Sequence, residues 1–115
     1  MPMLSWSTYR SQIAKGVGQL GKLSPDTLRG YVTLSGANQQ TGELDDKTRE
    51  LIALAVAISL RCDGCIAVHT EAARRFGATK EQLAEAFGVA ISVNAGAALV
   101  YATRALDAFD GSEEP

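Results

Sequence analysis

The longest uncharged stretch of this chain, AFGVAISVNAGAALVYAT, runs for 18 residues from Ala86 to Thr103. Its length is close to the minimum for a helix that crosses a bilayer. However, the stretch is rich in Ala and Gly and carries Ser92 and Asn94, a composition that bilayer-spanning helices disfavour. We therefore interpret it as parts of two helices buried in a soluble protein, separated by a break at residues 94–96, and expect no membrane partner.

The composition indicates one domain with a substantial apolar core. The chain has 115 residues, 46% of them hydrophobic, a net charge of −2 and an isoelectric point near 5.3. These values argue against a nucleic-acid partner. The first residues show no basic segment followed by an apolar one, so no secretory signal is visible. Two cysteines in a cytoplasmic protein then indicate metal or redox chemistry rather than a structural bridge.

Helical signals recur along the whole chain, whereas hairpin turns and two-residue alternation are not found. The fold class is therefore all-α, with five to six helices. A short turn at Leu60–Arg61 makes two of them a central antiparallel hairpin. Residues 37–43 form a polar connector, and residues 110–115 a disordered acidic tail. The helices are predicted at about 7–20, 25–36, 45–60, 62–76, 80–93 and 97–109.

Two apolar patterns predict close helix packing. The helix that carries TRELIALAVAISL is apolar on every side, which predicts burial on every side. Gly88, Ser92 and Gly96 recur every four residues, a small-residue stripe that permits close helix approach within the domain or between subunits. The aromatic side chains nearer the N-terminus are expected to belong to the core: Trp6, Tyr9 and Tyr31.

Both cysteines and the single histidine lie in one short segment, RCDGCIAVHTEAARRFG. On a helix that begins at Cys62, the side chains of Cys62, Cys65 and His69 share one face. The backbone N–H groups of a first helical turn favour a thiolate, and a nearby histidine lowers a cysteine pKa further. A thiolate at neutral pH is what thiol–disulfide exchange or peroxide reduction requires.

The residues themselves leave metal binding and redox chemistry open. A zinc site needs a fourth ligand, for which Glu50 or a carboxylate of another subunit is available. A purely structural disulfide is disfavoured because it would close a loop of a single helical turn. Counting back from the hairpin turn puts Glu50 near the level of His69, where a carboxylate can hold the imidazole in one tautomer. The alternative interpretation of Glu50 is an acidic residue that only stabilises the N-terminus of its own helix.

The spacing of Glu50, Cys62, Cys65 and His69 resembles the signature of the alkylhydroperoxidase AhpD-like branch of the carboxymuconolactone decarboxylase family. The segments LDDKTRELIALAVA, GATKEQLAEAFGVAI and LVYATRALDAF extend the resemblance over residues 44–109. It implies that residues 1–115 form a single AhpD-like helical domain. It also implies a homo-oligomer, a trimer or hexamer, assembled through the helices.

The same resemblance implies a thiol-dependent peroxidase that acts on small hydroperoxides. Cys65 would be the peroxidatic thiolate, Cys62 the resolving thiol, and His69 with Glu50 the proton relay. A dithiol reductant, lipoyl or thioredoxin-like, would reopen the disulfide, and neither a cofactor nor a bound metal is expected. The alternatives are a non-catalytic zinc-binding or accessory protein and a carboxymuconolactone decarboxylase-like enzyme.

One position departs from the resemblance. The best-characterised members have a histidine directly before the second cysteine, where this chain has Gly64. The relay here is therefore one group shorter. Asp63, the other residue between the cysteines, is expected to face solvent, because a buried carboxylate would raise the thiol pKa by charge repulsion.

Overall fold

Five α-helices account for nearly all of residues 2–112, the part of the chain that this computed structural model describes. No strand occurs within that range, so the prediction of an all-α fold is confirmed. The helices are α1 (Trp6–Leu23), α2 (Pro25–Thr41), α3 (Asp46–Leu60), α4 (Asp63–Arg75) and α5 (Lys80–Gly111).

Short-range signals set where α3 and α5 begin. The Asp45 carboxylate accepts the backbone N–H of Thr48 at 2.8 Å. Hydrogen bonding by the side chain of Thr48, and then by its backbone N–H, lowers the pKa of Asp45. At α5, the N–H of Gln82 donates to the Thr79 hydroxyl at 3.1 Å. The Gln82 side chain in turn accepts the N–H of Thr79 at 3.0 Å, which completes a capping box.

Two predicted helix breaks are wrong. Helix α2 does not stop near Gly36 but runs through most of the predicted connector to Thr41, and ends at Gly42, whose φ is +68°. Helix α5 passes through residues 94–96 without interruption and is 32 residues long. The Asn94 amide donates to the carbonyl of Ala90 at 2.8 Å, so this side chain reinforces the helix that it was expected to end.

The central hairpin of α3 and α4 is confirmed, and it holds most of the buried side chains. Arg61 turns the chain in a left-handed conformation with φ +56°. The N–H of Cys62 donates to the carbonyl of Ala57 at 3.1 Å, which closes the end of α3 directly against the start of α4. Helix α1 packs on α4, α5 packs on α3, and α2 packs on α1. The buried residues of the hairpin are Leu54, Ala57, Ala67, Ala72 and Ala73.

Among residues 2–112, Leu54 is the one large side chain that is completely buried, with 0% exposure. We expect Leu54→Ala to lower the free energy of unfolding by about 3 kcal/mol, because the lost contacts leave a cavity between α3 and its neighbours. Urea denaturation at fixed protein concentration measures this loss. Leu60→Ala, on the same helix at 70% exposure, is the control. Equal losses in the two variants would contradict the position of the core.

Much of the apolar surface is left uncovered by the chain itself. Helix α3 was expected to be buried on every side, but Ile52 and Val56 are 49% and 51% exposed, because α4 and α5 cover only part of it. At Gly88 and Gly96, two residues of the small-residue stripe, no neighbouring side chain among the described residues lies within 4 Å of a Cβ placed on the glycine. The large exposed side chains of α5 are Val89, Ile91, Val93, Leu99, Val100, Tyr101, Leu106 and Phe109.

Helix α5 is also long and apolar enough to cross a membrane, judged by length and composition alone. The same test is passed by helices that other protein surfaces cover. Asp110 and Gly111, at the start of the predicted disordered tail, belong to α5, whereas residues 113–115 lie outside the described residues. The long uncharged stretch is therefore a single, exposed helix rather than two buried ones.

Candidate active site

The N-terminus of α4 carries the two cysteines. Cys62 is the N-cap residue, with extended backbone angles, and Cys65 lies in the first turn of the helix. The two Cα atoms are 5.2 Å apart, and a disulfide joins the side chains. The helix start thus brings together the two thiols that the sequence spacing predicted to share one face.

The unpaired N–H groups of the first turn act on Cys62 in particular. The backbone N–H of Cys65 donates to Cys62 Sγ at 3.1 Å. In the reduced protein this bond and the helix N-terminus favour negative charge on the Cys62 sulfur. From the sequence, the polarity of the helix N-terminus was expected to act on the cysteine pair as a whole. Because Cys62 is the N-cap residue, its sulfur is the one that accepts the N–H of Cys65.

His69 and Glu50 form the second part of the site, as the register of the hairpin predicted. His69 Nδ1 donates to Glu50 Oε2 at 2.6 Å. The two side chains are 35% and 18% exposed, so this pair is partly shielded from water. Because the carboxylate occupies Nδ1, Nε2 is the ring nitrogen with which His69 can exchange a proton with another group.

The disulfide and the imidazole open onto a common cavity of about 270 Å³. A second cavity of about 360 Å³ adjoins Glu50 and shares His69 and Tyr31 with the first. The imidazole therefore lines both cavities, one shared with the two cysteines and one shared with Glu50. The first cavity is lined by Ile13, Tyr31, Cys62, Gly64, Cys65, Val68 and His69.

The site also includes one residue of α1 and one residue of α2 that were not predicted to lie there. Tyr31 was expected in the core, but it is 62% exposed and lines both cavities. Ile13 Cδ1 lies 3.2 Å from the position of a Cβ on Gly64, so an apolar side chain fills the space beside the glycine. No local pattern identifies either residue, because α1 and α2 reach α4 only through tertiary packing. Trp6 and Tyr9, also expected in the core, are partly buried.

Arg10 fixes α1 against the site-bearing helix. Its guanidinium donates to the carbonyl of Ala67 at 3.1 Å and pairs with Glu71 at 3.1 Å. Asp63 is exposed, as predicted, so its carboxylate is solvated rather than buried beside the sulfur atoms. The cysteine pair is thus held between α1 and α3, with its charged neighbour turned to water.

The zinc-binding alternative requires a group of side chains that can serve as metal ligands. Across residues 2–112, no group of three or more His, Cys, Asp and Glu side chains is arranged to hold a metal ion. The disulfide occupies both sulfur atoms that such a site would need in thiolate form.

Comparison with known proteins decides the family. Residues 25–108 match the model of the carboxymuconolactone decarboxylase family. The chain belongs to this family. Its sequence is 46% identical to an uncharacterized protein of Haemophilus influenzae over 104 residues, which cover 90% of this chain and 92% of that protein. It is 37% identical to an uncharacterized protein of Cupriavidus necator over 103 residues, 90% of this chain and 91% of the relative.

Solved structures agree with the family assignment. A carboxymuconolactone decarboxylase family protein from Legionella pneumophila, crystallised in its apo form, superposes with a TM-score of 0.73 at 36% identity. The match covers 91% of this chain and 94% of that one. A protein from Methanobacterium thermoautotrophicum gives a TM-score of 0.67 at 31% identity, over 72% of this chain and 93% of that protein. The helical fold of this carboxymuconolactone decarboxylase family member is therefore shared across nearly the full length of both solved proteins.

Proposed function

We propose that this member of the carboxymuconolactone decarboxylase family is a thiol-dependent peroxidase. It reduces small hydroperoxides by a dithiol–disulfide cycle. One observation carries the proposal: a Cys62–Cys65 disulfide and a Glu50-bound His69 open onto the same cavity. A decarboxylase would have no use for a bridged cysteine pair, and the AhpD-like spacing of these four residues supports the peroxidase.

The proposed cycle uses only the side chains of this site. The Cys65 thiolate attacks one peroxide oxygen, the O–O bond breaks, and the leaving alkoxide takes a proton from His69, which leaves an alcohol and a sulfenic acid on Cys65. Glu50 stabilises the charged imidazolium before this transfer and keeps Nε2 available. The Cys62 thiol then loses its proton and attacks the Cys65 sulfur, the S–O bond breaks, and the sulfenic hydroxyl leaves as water with that proton. Two electrons pass from the dithiol to the peroxide.

A dithiol compound completes the cycle. Its first thiolate attacks the Cys62–Cys65 disulfide and its second thiol releases the mixed disulfide, so that both cysteines are reduced again. A lipoyl group or a thioredoxin-like protein has this chemistry. We place the cycle in the cytoplasm, where such reductants keep thiols reduced.

Copies of the same chain are the proposed cover for the exposed apolar surface. Val93, Leu99 and Phe109, along α5, are 66%, 74% and 73% exposed. A surface this apolar is typical of subunit contacts. Ser92 and Asn94 within the same stretch favour a protein partner over lipid. A trimer or hexamer assembled through the helices accounts for the pattern.

Oxidation of the reduced protein by an organic hydroperoxide tests the proposed function directly. Fully reduced protein, mixed anaerobically with cumene hydroperoxide, is expected to lose both thiols and form one disulfide for each peroxide consumed. Thiol titration and mass spectrometry of the quenched protein measure this ratio, and protein alkylated beforehand is the control. Thiols that persist in excess peroxide would contradict the proposal. About one bound zinc per chain in the purified protein would favour the zinc-binding alternative.

A further inference from the structure

The two cavities of the site differ in chemical character. The thiol cavity, defined above by its lining, takes its non-sulfur walls mainly from apolar side chains, those of Ile13, Tyr31 and Val68. The neighbouring cavity beside Glu50 is lined mostly by polar groups: Ser35, Asn38, Gln39 and Arg49. An apolar substituent therefore gains contacts only in the thiol cavity, whereas water and protons have access to the carboxylate from the polar side.

Tyr31 is the α2 residue common to both cavities. Within the described part of the chain, the only other residue they share is His69, which its bond to Glu50 fixes in place. The Tyr31 ring thus stands at the boundary between the apolar and the polar space. At 62% exposure the ring is also accessible from solvent.

The position of Tyr31 depends on how α2 packs on α1. Helix α2 has no buried residue of its own, so this packing is what places it. The two helices approach closely at Gly21, where a Cβ would overlap a methyl group of Leu28. Leu28 lies three residues before Tyr31 and therefore on the same side of α2. The packing that seats Leu28 against α1 also directs Tyr31 toward α4.

We propose that Tyr31 is the specificity-determining residue of the thiol cavity. Its ring forms the wall that binds the apolar substituent of an incoming substrate and separates that substituent from the polar cavity. The consequence for turnover, a preference for hydroperoxides with a bulky apolar group over hydrogen peroxide, rests on the proposed peroxidase function. The binding preference itself does not.

Alkylation of the reduced protein by two uncharged reagents tests the proposal without any peroxide. The probes are N-phenylmaleimide and N-methylmaleimide, and each rate constant is divided by the rate constant for glutathione. We expect the wild type to prefer the phenyl reagent by about tenfold, which corresponds to the burial of a few tens of Å² of apolar surface. Tyr31→Ala should lose most of this preference, whereas Tyr31→Phe, which keeps the ring, should retain it.

Val32→Ala is the matched control, since Val32 neighbours Tyr31 on α2, is 58% exposed and lines neither cavity. It should keep the wild-type preference. A preference that survives in Tyr31→Ala, or that disappears in Tyr31→Phe, would overturn the proposal. Tyr31→Leu provides a second test should the alanine variant fold poorly, and it should give an intermediate ratio. Wild-type protein that shows the preference but does not react with peroxide would overturn only the proposed function.

Discussion

Replacement of Cys65 by serine is expected to abolish peroxide-dependent oxidation of this protein. A serine hydroxyl is not ionised at neutral pH and cannot take the place of a thiolate as the attacking group. Stopped-flow measurement of cumene hydroperoxide consumption by the reduced variant gives the result directly. We expect a rate that cannot be distinguished from that of protein with alkylated thiols.

Cys62→Ser is the matched control, because it removes the other sulfur from the same turn of α4. This variant should still consume one equivalent of peroxide and stop at a sulfenic acid on Cys65, which dimedone traps for mass spectrometry. The opposite pattern, a sulfenic acid on Cys62 in the Cys65→Ser variant, would reverse the two roles. The bond from the Cys65 N–H to Cys62 Sγ would then mark the attacking sulfur.

His69→Ala should slow the reaction of reduced protein with hydroperoxide by about a hundredfold or more. The imidazole opens onto the same cavity as Cys65, so it is positioned to take the thiol proton and to return a proton to the leaving alkoxide. The same variant should move the midpoint of Cys65 alkylation by iodoacetamide to higher pH. An unchanged midpoint would mean that His69 does not act on the thiol.

Glu50→Gln separates the charge of the carboxylate from its hydrogen bond. The amide oxygen can still accept from His69 Nδ1, but the stabilisation of the imidazolium is lost, so we expect about a tenfold lower rate. Glu85→Gln makes the same change at an exposed glutamate of α5 and should leave the rate at the wild-type value. If the two variants behave alike, Glu50 has no part in the proton relay.

Features encoded in short segments were predictable. The side chains of Asp45 and Thr79 cap the helices that follow them, and such bonds depend only on residues three positions apart. The pairing of Glu50 with His69 also followed from the sequence, since a short turn between two helices fixes which levels of the hairpin face one another. The proximity of Cys62 and Cys65 was predictable for the same reason, because a separation of three residues at the start of one helix determines the distance between them.

Features that depend on which surfaces meet were not predictable. Gly36 and Asn94 are weak helix formers and were expected to end helices, but propensity is a small energy that neighbouring interactions override, as the bond from Asn94 to Ser59 at 2.8 Å shows. Apolar periodicity predicts which face of a helix is buried, but not which surface buries it. Helix α5 was therefore expected to be buried within the chain, whereas its large apolar side chains are mostly exposed.

The sequence by itself determined the helical class and the central hairpin, because both follow from local spacing along helices. The same spacing predicted that Cys62, Cys65 and His69 share one helix face and that Glu50 lies near the level of His69, whereas the roles of these four side chains remain a prediction. The tertiary structure decided what surrounds those side chains. Ile13 beside Gly64 and Tyr31 over the thiol cavity come from helices α1 and α2, whose positions depend on packing between segments distant in sequence. Packing of that kind is the sum of many weak contacts, and no single residue or spacing predicts it.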